Sequence, residues 1–387
     1  MALEPDVVIV PCERYEDKDV EDALRAALAP LGGLDFVQPG MRVAVKVNLV
    51  TAMKPDTAAV VHPSVVCALV RLLRERGATE VVVGDSPGGV YSAGYLKLVY
   101  DVCGLRGAVE AAGGKLNDDF TQMQAEYPQA VQAKQFPYTA YLAKADAIVD
   151  LCKLKTHGMM GLSCAVKNLF GVIPGTIKPE FHYHYPKADD FADMLVDLYE
   201  YVKPRLCVCD AVVGMEGNGP TQGTPRKIGC LLAAKSGHAL DLVAARLIGL
   251  GVNDIPTLAA AQKRGLIPAE AGALCVQGDP ARFVVPDYRT VPSQSNVFFN
   301  IFGSGPIGKA VNFVVGRILT PFPKLSPDAC VGCKKCANIC PAKAITMVGG
   351  KPRIDRGKCI HCFCCQEFCP KGAMQVGRHL LVRLIGK

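Results

Sequence analysis

CVGCKKCANICP (Cys330–Pro341) and CIHCFCCQEFCP (Cys359–Pro370) stand 29 residues apart and share one pattern, C-x2-C-x2-C-x3-C-P. Each run offers three closely spaced thiolates to one iron–sulfur cube, and the proline carries the fourth cysteine away to the other cube. The spacing therefore assigns Cys330, Cys333, Cys336 and Cys369 to one [4Fe-4S] cluster. Cys359, Cys362, Cys365 and Cys340 belong to a second. Zinc also takes C-x2-C pairs, but the third cysteine of each run and the Cys-Pro ending argue against it. Cys364 is an extra thiol and reads as a packed neighbour. A short apolar segment follows each run, Ala344-Ile345 and Ala373-Met374. The repeat fits a pseudo-two-fold, α+β bacterial-type ferredoxin module, expected at 326–387. A connector at 293–325 would join it to a body at 1–292, built as one domain or two lobes.

At 387 residues with 50% hydrophobic and 20% charged composition, the chain is long enough for a sizeable core plus that module. Half of its 18 cysteines lie in the two runs. The start of the chain shows no charged-then-apolar leader, so reduced thiols in a reducing, anaerobic cytoplasm are expected rather than disulfides. The net charge of +7 is concentrated at the end: residues 330–387 hold 11 Lys and Arg against Asp355 and Glu367. A cube on four thiolates carries about −2 when oxidised, so this excess largely offsets cluster charge. Basic stripes interleaved with aromatics are missing, which argues against nucleic acid. No apolar run reaches the ~20 residues of a membrane span. The stretch 297–319 is broken by Asn300, Lys309, Asn312 and Arg317. The tail with Leu380, Leu381, Val382, Leu384 and Ile385 reads as an amphipathic segment packed on its own domain.

Upstream, short β-rich runs alternate with helical patterns, the mark of an α/β fold with a mostly parallel sheet. Strands are expected at Val7–Val10, Met41–Leu49, Val81–Gly84, Ala147–Leu154, Leu206–Cys209 and Ile228–Ala233. Helices are expected at Asp19–Leu31, Pro63–Arg76, Tyr95–Ala112, Leu162–Phe170, Ala188–Tyr201 and His238–Leu250. The stretch Leu116–Gln135 is polar and poorly patterned. Open parallel sheets bind ligands beyond the carboxyl ends of their strands, and unusual residues collect there. Lys46 and Asn48 end one strand, and Asp85-Ser86 leads from another into Pro87-Gly88-Gly89. Lys153, Lys155, Thr156 and His157 end a third. Asp210 ends a fourth, ahead of the glycine-rich loop bearing Glu216 and Asn218. One concave polar site is the reading that joins them.

Within it Lys155, His157 and Lys167 would face an anionic group, with Lys46, Asn48, Ser86, Gly88, Gly89, Lys153, Asn168, Asp210, Glu216 and Asn218 as further contacts. Asp85 would hold a hydroxyl, an amine or a metal. His157 is the first candidate proton donor and a lysine the second. The bland alternatives are solvated strand ends, a tight turn at Gly84–Gly89 and a core histidine. Cys164 is a nucleophile, a ligand or a buried small hydrophobe. His182 and His184 would share a face if their segment were a strand, and would offer a metal pair; a mobile aromatic lid over Phe181–Tyr185 is the equal alternative. His62 caps the helix opened by Pro63. No flavin, nicotinamide or nucleotide fingerprint is present.

AVKVNLV (44–50), HPSVV (62–66), GDSPGG (84–89), KLKTH…AVKNLFG (153–171), MEGNGP (215–220) and CFCCQEFCP (362–370) together resemble the family called domain of unknown function 362. The resemblance is to the variant fused to a two-cluster ferredoxin, and it implies an iron–sulfur redox protein of anaerobic metabolism. A remoter likeness to nickel-pincer lactate racemases is one of fold, which does not set function. The leading expectation is an iron–sulfur oxidoreductase passing low-potential electrons to an anionic substrate or cofactor. One alternative is an electron-transfer subunit docking a partner protein through Lys334 and Lys335. Another is non-redox isomerase-type chemistry at the Lys/His site.

Overall fold

The computed structural model describes residues 4–268, 270–291 and 321–377. Most of the stretch read as a connector, and the tail from Leu380 to Ile385, lie outside the described residues. The strands of the body are β1 (Val7–Pro11), β2 (Arg42–Val47), β3 (Glu80–Gly84), β4 (Lys115–Leu116), β5 (Gln122–Glu126), β6 (Gln135–Thr139), β7 (Ala147–His157), β8 (Gly161–Ser163), β9 (Leu206–Glu216), β10 (Thr224–Ala234) and β11 (Val276–Gln277). Nine of them form one sheet in the order β11-β1-β10-β9-β7-β2-β3-β4, with β8 beside β7. β9, β7, β2, β3 and β4 are mutually parallel, while β10 and β8 run against their neighbours. The expected mostly parallel sheet is present.

Alternation along β2 shows how both faces are buried. Val43, Val45 and Val47 enter one apolar core with the helices Asp17–Leu28 and Pro63–Glu75. Ala44 enters the other, with the helices Ala188–Val202 and Gly237–Leu247. In Pro63–Glu75 the buried Val65, Leu69 and Leu72 recur at helical spacing. Each such side chain contributes about 1.5–3 kcal/mol on burial. The imidazole of His62 accepts from Ser64 N at 3.3 Å, the cap expected there.

Three expectations are corrected. Leu162–Phe170 is not one helix: β8 folds back on β7, and only Ala165–Asn168 is helical before a tight turn at Leu169–Val172. Hairpin pairing satisfies the backbone of Gly161–Ser163, so the helix starts late. The polar stretch contains β5, which pairs with β6 at its far end, and its outward residues hid its period because Gln122, Met123, Gln124 and Glu126 are all exposed. β7 and β9 run on to His157 and Glu216, so Lys153 and Asp210 sit inside paired strands rather than at their ends.

Phe322–Leu325 (β12), in the stretch read as connector, pairs with Met374–Gly377 (β15), and Ile345–Val348 (β13) pairs with Lys351–Ile354 (β14). β12 and β14, like β13 and β15, begin 29 residues apart. The left-handed residues repeat at the same interval: Gly332 with His361, Lys334 with Phe363, and Lys343 with Gly372. The cysteine repeat is thus a repeat of backbone as well as of thiols.

Candidate functional site at the junction of the body and the cysteine module

Lys46 ends β2 with its side chain fully buried, and its amine lies 2.9 Å from Asp85 Oδ1. It also donates to Val47 O at 2.7 Å and Asn168 Oδ1 at 3.0 Å. Asp85 Oδ2 accepts from Leu49 N at 2.8 Å. Asn168 Nδ2 donates to Asp150 Oδ1 at 2.6 Å, so residues of β2, β7, the loop after β3 and the helix Ala165–Asn168 are cross-tied. Lys155 Nζ spends two of its three donors on Asn48 Oδ1 and Ala59 O, each at 2.7 Å.

A pocket opens on this network. Its lining includes Lys155, Lys167, Lys178, His157, Asp85 and Ser86, and its free space is about 720 Å³ counting the open mouth. The Lys167 amine lies over the rings of Phe170 and Phe191, at 5.2 and 5.6 Å from their centroids. Lys178 donates to Ser86 O. Burial lowers Lys155 to about 7 against the opposing pull of Glu367 and Asp85. It likewise lowers Lys178 to about 7, and brings Lys167 down. Ser86 Oγ and His182 Nδ1 are buried beside the pocket with no hydrogen-bond partner among the described residues, as expected where a ligand or water completes the set.

His157 Nδ1 accepts from Met159 N at 3.1 Å and Met160 N at 3.2 Å. The ring proton therefore belongs on Nε2, which stands 2.9 Å from Glu367 Oε1. Burial, supported by Lys167, depresses His157 to about 4. Burial alone would raise Glu367, but His157 and Lys167 outweigh it and hold the carboxyl at about 2. Glu367 belongs to the second cysteine run, and Cys364 and Phe368 of that run line the same pocket. A Cβ on Gly88 would strike the Phe368 ring, so only a glycine lets the module sit this close.

Other expected contacts have different work. Glu216 is held by Arg289, at 2.8 Å to Nε and 3.0 Å to the backbone N. Asn218 accepts from Gln366 Nε2 at 2.8 Å and from Val376 N at 3.3 Å. Thr221 and Gln222 grip Glu367 O and Cys369 O, so this loop is a cradle for the module. Lys153 and Asp210 pair at 2.8 Å, away from the pocket lining. Gly89 packs on Tyr95. His182 and His184 lie on the helix Lys178–His184, where two residues' spacing turns them apart. His182 is buried against Phe191 and His184 is exposed, so they form no metal pair. Lys178, Glu367 and Phe368 escaped sequence reasoning; Lys178 had only its nearness to the Lys153–Gly175 run as a signal.

A Cβ on Gly171 would overlap Asp85 Oδ1 and Lys46 Cε. Gly171→Ala is therefore expected to cost about 1–3 kcal/mol, read as a lower thermal midpoint. An unchanged midpoint would mean that the ion pair moves aside freely.

The cysteines of the module fit iron–sulfur ligation. Cys330, Cys333, Cys336 and Cys369 all line one hollow, about 350 Å³ counting its open mouth. The thiol of Cys359 feels Cys362 and Cys340, and that of Cys365 feels Cys362, Cys359 and Cys340. The fourth thiol of each run accepts an equivalent backbone bond, Ala344 N to Cys340 at 3.3 Å and Ala373 N to Cys369 at 3.2 Å. Cys333 is exposed and its counterpart Cys362 is buried, and Cys364 of the second run lines the pocket of the body, so the module has an outer and an inner end. No helix among the described residues is long and apolar enough to cross a membrane.

Residues 322–370 match the 4Fe-4S dicluster domain. A thylakoid-associated protein of Synechocystis sp. is 33% identical over 296 residues, covering 73% of this chain and 87% of that protein. The lactate racemase apoprotein of Thermoanaerobacterium thermosaccharolyticum aligns at TM-score 0.41 and 11% identity, over 62% of this chain and 56% of the racemase. A Thermotoga maritima protein aligns at TM-score 0.33 and 12% identity, over 56% of this chain and 55% of its own. Residues 43–246 match the domain of unknown function DUF362, and the chain belongs to that family, in a form joined to an iron–sulfur dicluster module.

Proposed function

We propose that the chain is an iron–sulfur oxidoreductase whose two [4Fe-4S] clusters exchange electrons with an anionic small molecule held among Lys155, Lys167 and Lys178. Cys330, Cys333, Cys336 and Cys369 would hold the outer cluster, and Cys359, Cys362, Cys365 and Cys340 the inner one. The observation that carries this reading is the wall that Cys364, Glu367 and Phe368 contribute to the lysine pocket. When bound, the clusters supply single electrons at that wall. Covalent fusion keeps donor and acceptor together and removes a bimolecular encounter.

The remaining work falls to the chain's own side chains. Lys155 has one donor left for the anion after Asn48 and Ala59 are served. Phe170 and Phe368 exclude water from one side. Reduction also takes up protons. A neutral His157, its ring proton at Nε2 facing Glu367, is a weak acid at pH 7 and serves to anchor the module. Lys155 and Lys178, at about 7, match the operating pH of a proton donor.

Dithionite-reduced protein should be reoxidised by its carboxylate or phosphate substrate, with saturation, while iron content holds constant. Reoxidation by proteins but never by such anions would overturn the assignment. An acid must be protonated to donate, so the rate should be full below pH 7 and fall as pH rises through about 7. A rate that climbs through that range would remove the lysines from the acid role. A second reading rests on exposed Lys334 and Lys335 beside exposed Cys333. A protein electron carrier would dock there, and a relay without small-molecule turnover would co-purify with its partner.

A further inference from the structure

Beneath the pocket, in the apolar core of the body, three thiols meet. Cys152 comes from β7, Cys209 from its neighbour β9, and the two are register partners across the parallel ladder. Cys164 comes from the turn between β8 and the helix Ala165–Asn168. Its sulfur lies 3.6 Å from Cys152 Sγ and 3.5 Å from Cys209 Sγ, and all three residues are buried. Three separate segments thus deliver sulfur to one point, with every ligand atom within 4.8 Å of the others.

A carboxylate stands beside them. Asp241, 2% exposed, accepts from Ala165 N at 2.7 Å and Val166 N at 3.1 Å, and so holds the segment that follows Cys164. Thiols alone would be unremarkable fillers, because a buried cysteine packs as a small hydrophobe. Three thiols delivered by separate segments to within 4.8 Å of one another are more than filling requires.

We propose that Cys152, Cys164 and Cys209 bind one soft divalent metal ion of the zinc class through their three thiolates. Sulfurs bonded to zinc at about 2.3 Å on tetrahedral corners stand about 3.8 Å apart. From their present 3.6 and 3.5 Å, the Cys152–Cys164 and Cys164–Cys209 pairs need separate by only a few tenths of an ångström. Each ligating thiol gives up its proton to solvent on metal binding, and no electron is transferred. Through the amides of Ala165 and Val166, Asp241 holds in place the segment that carries Cys164. The ion would pin β7, β9 and the short helix carrying Lys167 and Asn168, fixing one side of the pocket. The inference is independent of what the pocket binds.

The test is elemental analysis of the full-length protein, produced in zinc-replete medium and purified anaerobically with its iron in place. One zinc per chain beyond the iron is expected. Cys164→Ala and Cys209→Ala should each lose it with iron unchanged, and Cys333→Ser should lose iron while zinc stays. If the core variants fail to fold, X-ray absorption at the zinc edge of the unaltered protein decides, with three sulfur neighbours at about 2.3 Å expected. A full iron complement with less than about 0.1 equivalent of any other metal would overturn the site. So would zinc that follows Cys333 instead of Cys164, or a zinc edge without three sulfurs.

Discussion

Lys155→Met is expected to slow reoxidation of the reduced protein by its anionic acceptor about 30-fold or more. Losing one buried, hydrogen-bonded charge partner costs about 2–5 kcal/mol, and about 1.4 kcal/mol is a factor of ten. The side chain is 1% exposed as part of the residue, so solvent screens the amine little. The substitution removes the donor aimed at the anion and also strips Asn48 Oδ1 and Ala59 O of their 2.7 Å partner. Iron content and thermal midpoint, measured in parallel, separate lost chemistry from lost folding. Reoxidation at the unaltered rate, with iron and midpoint unaltered, would remove Lys155 from the site.

Lys153→Met should produce the opposite pattern, with stability falling and pocket chemistry preserved. Lys153 Nζ bonds Asp210 Oδ2 at 2.8 Å and Tyr15 OH at 2.7 Å. Asp210 accepts in addition from Tyr15 OH at 2.8 Å and His62 N at 3.0 Å. The two charged side chains are 1% and 0% exposed. Breaking a buried pair by removing one partner costs about 3–5 kcal/mol, because the other charge is left uncompensated. That corresponds to a midpoint lower by roughly 10 °C for a body of this size. The double variant Lys153→Met with Asp210→Asn should recover most of the loss, since no buried charge is then stranded. At a temperature where the single variant is folded, its reoxidation rate should lie within about twofold of the original, because neither residue lines the pocket. A rate collapse without a stability change would make Lys153 a site residue after all.

These two lysines, two positions apart in KLKTH, show how far local reading reaches. Both are buried on β7, and nothing in their spacing separates them. One meets a carboxylate delivered by β9 and is consumed by it. The other meets two neutral oxygens and keeps a donor free. That difference arises from the register between β7 and β9, which shifts between Lys153 and Lys155. Glu216 and Asn218 repeat the lesson, because a glycine-rich loop signals special backbone and not its partner. Here the partners are Arg289 and the module.

The sequence by itself determined the features whose physics is local in the chain. These are the thiolate spacing of the two cysteine runs, their 29-residue repeat, the alternation that builds a mostly parallel sheet, and the cap at His62. Each depends on residues a few positions apart, so spacing and periodicity carry it. The tertiary structure alone decided which polar residues share a pocket. It alone set Glu367 and Phe368 of the second cysteine run against His157 and Gly88 of the body. It also gathered Cys152, Cys164 and Cys209 at one point. Those meetings join residues distant in the chain, through strand register and the seating of one unit on another, and no local pattern encodes them.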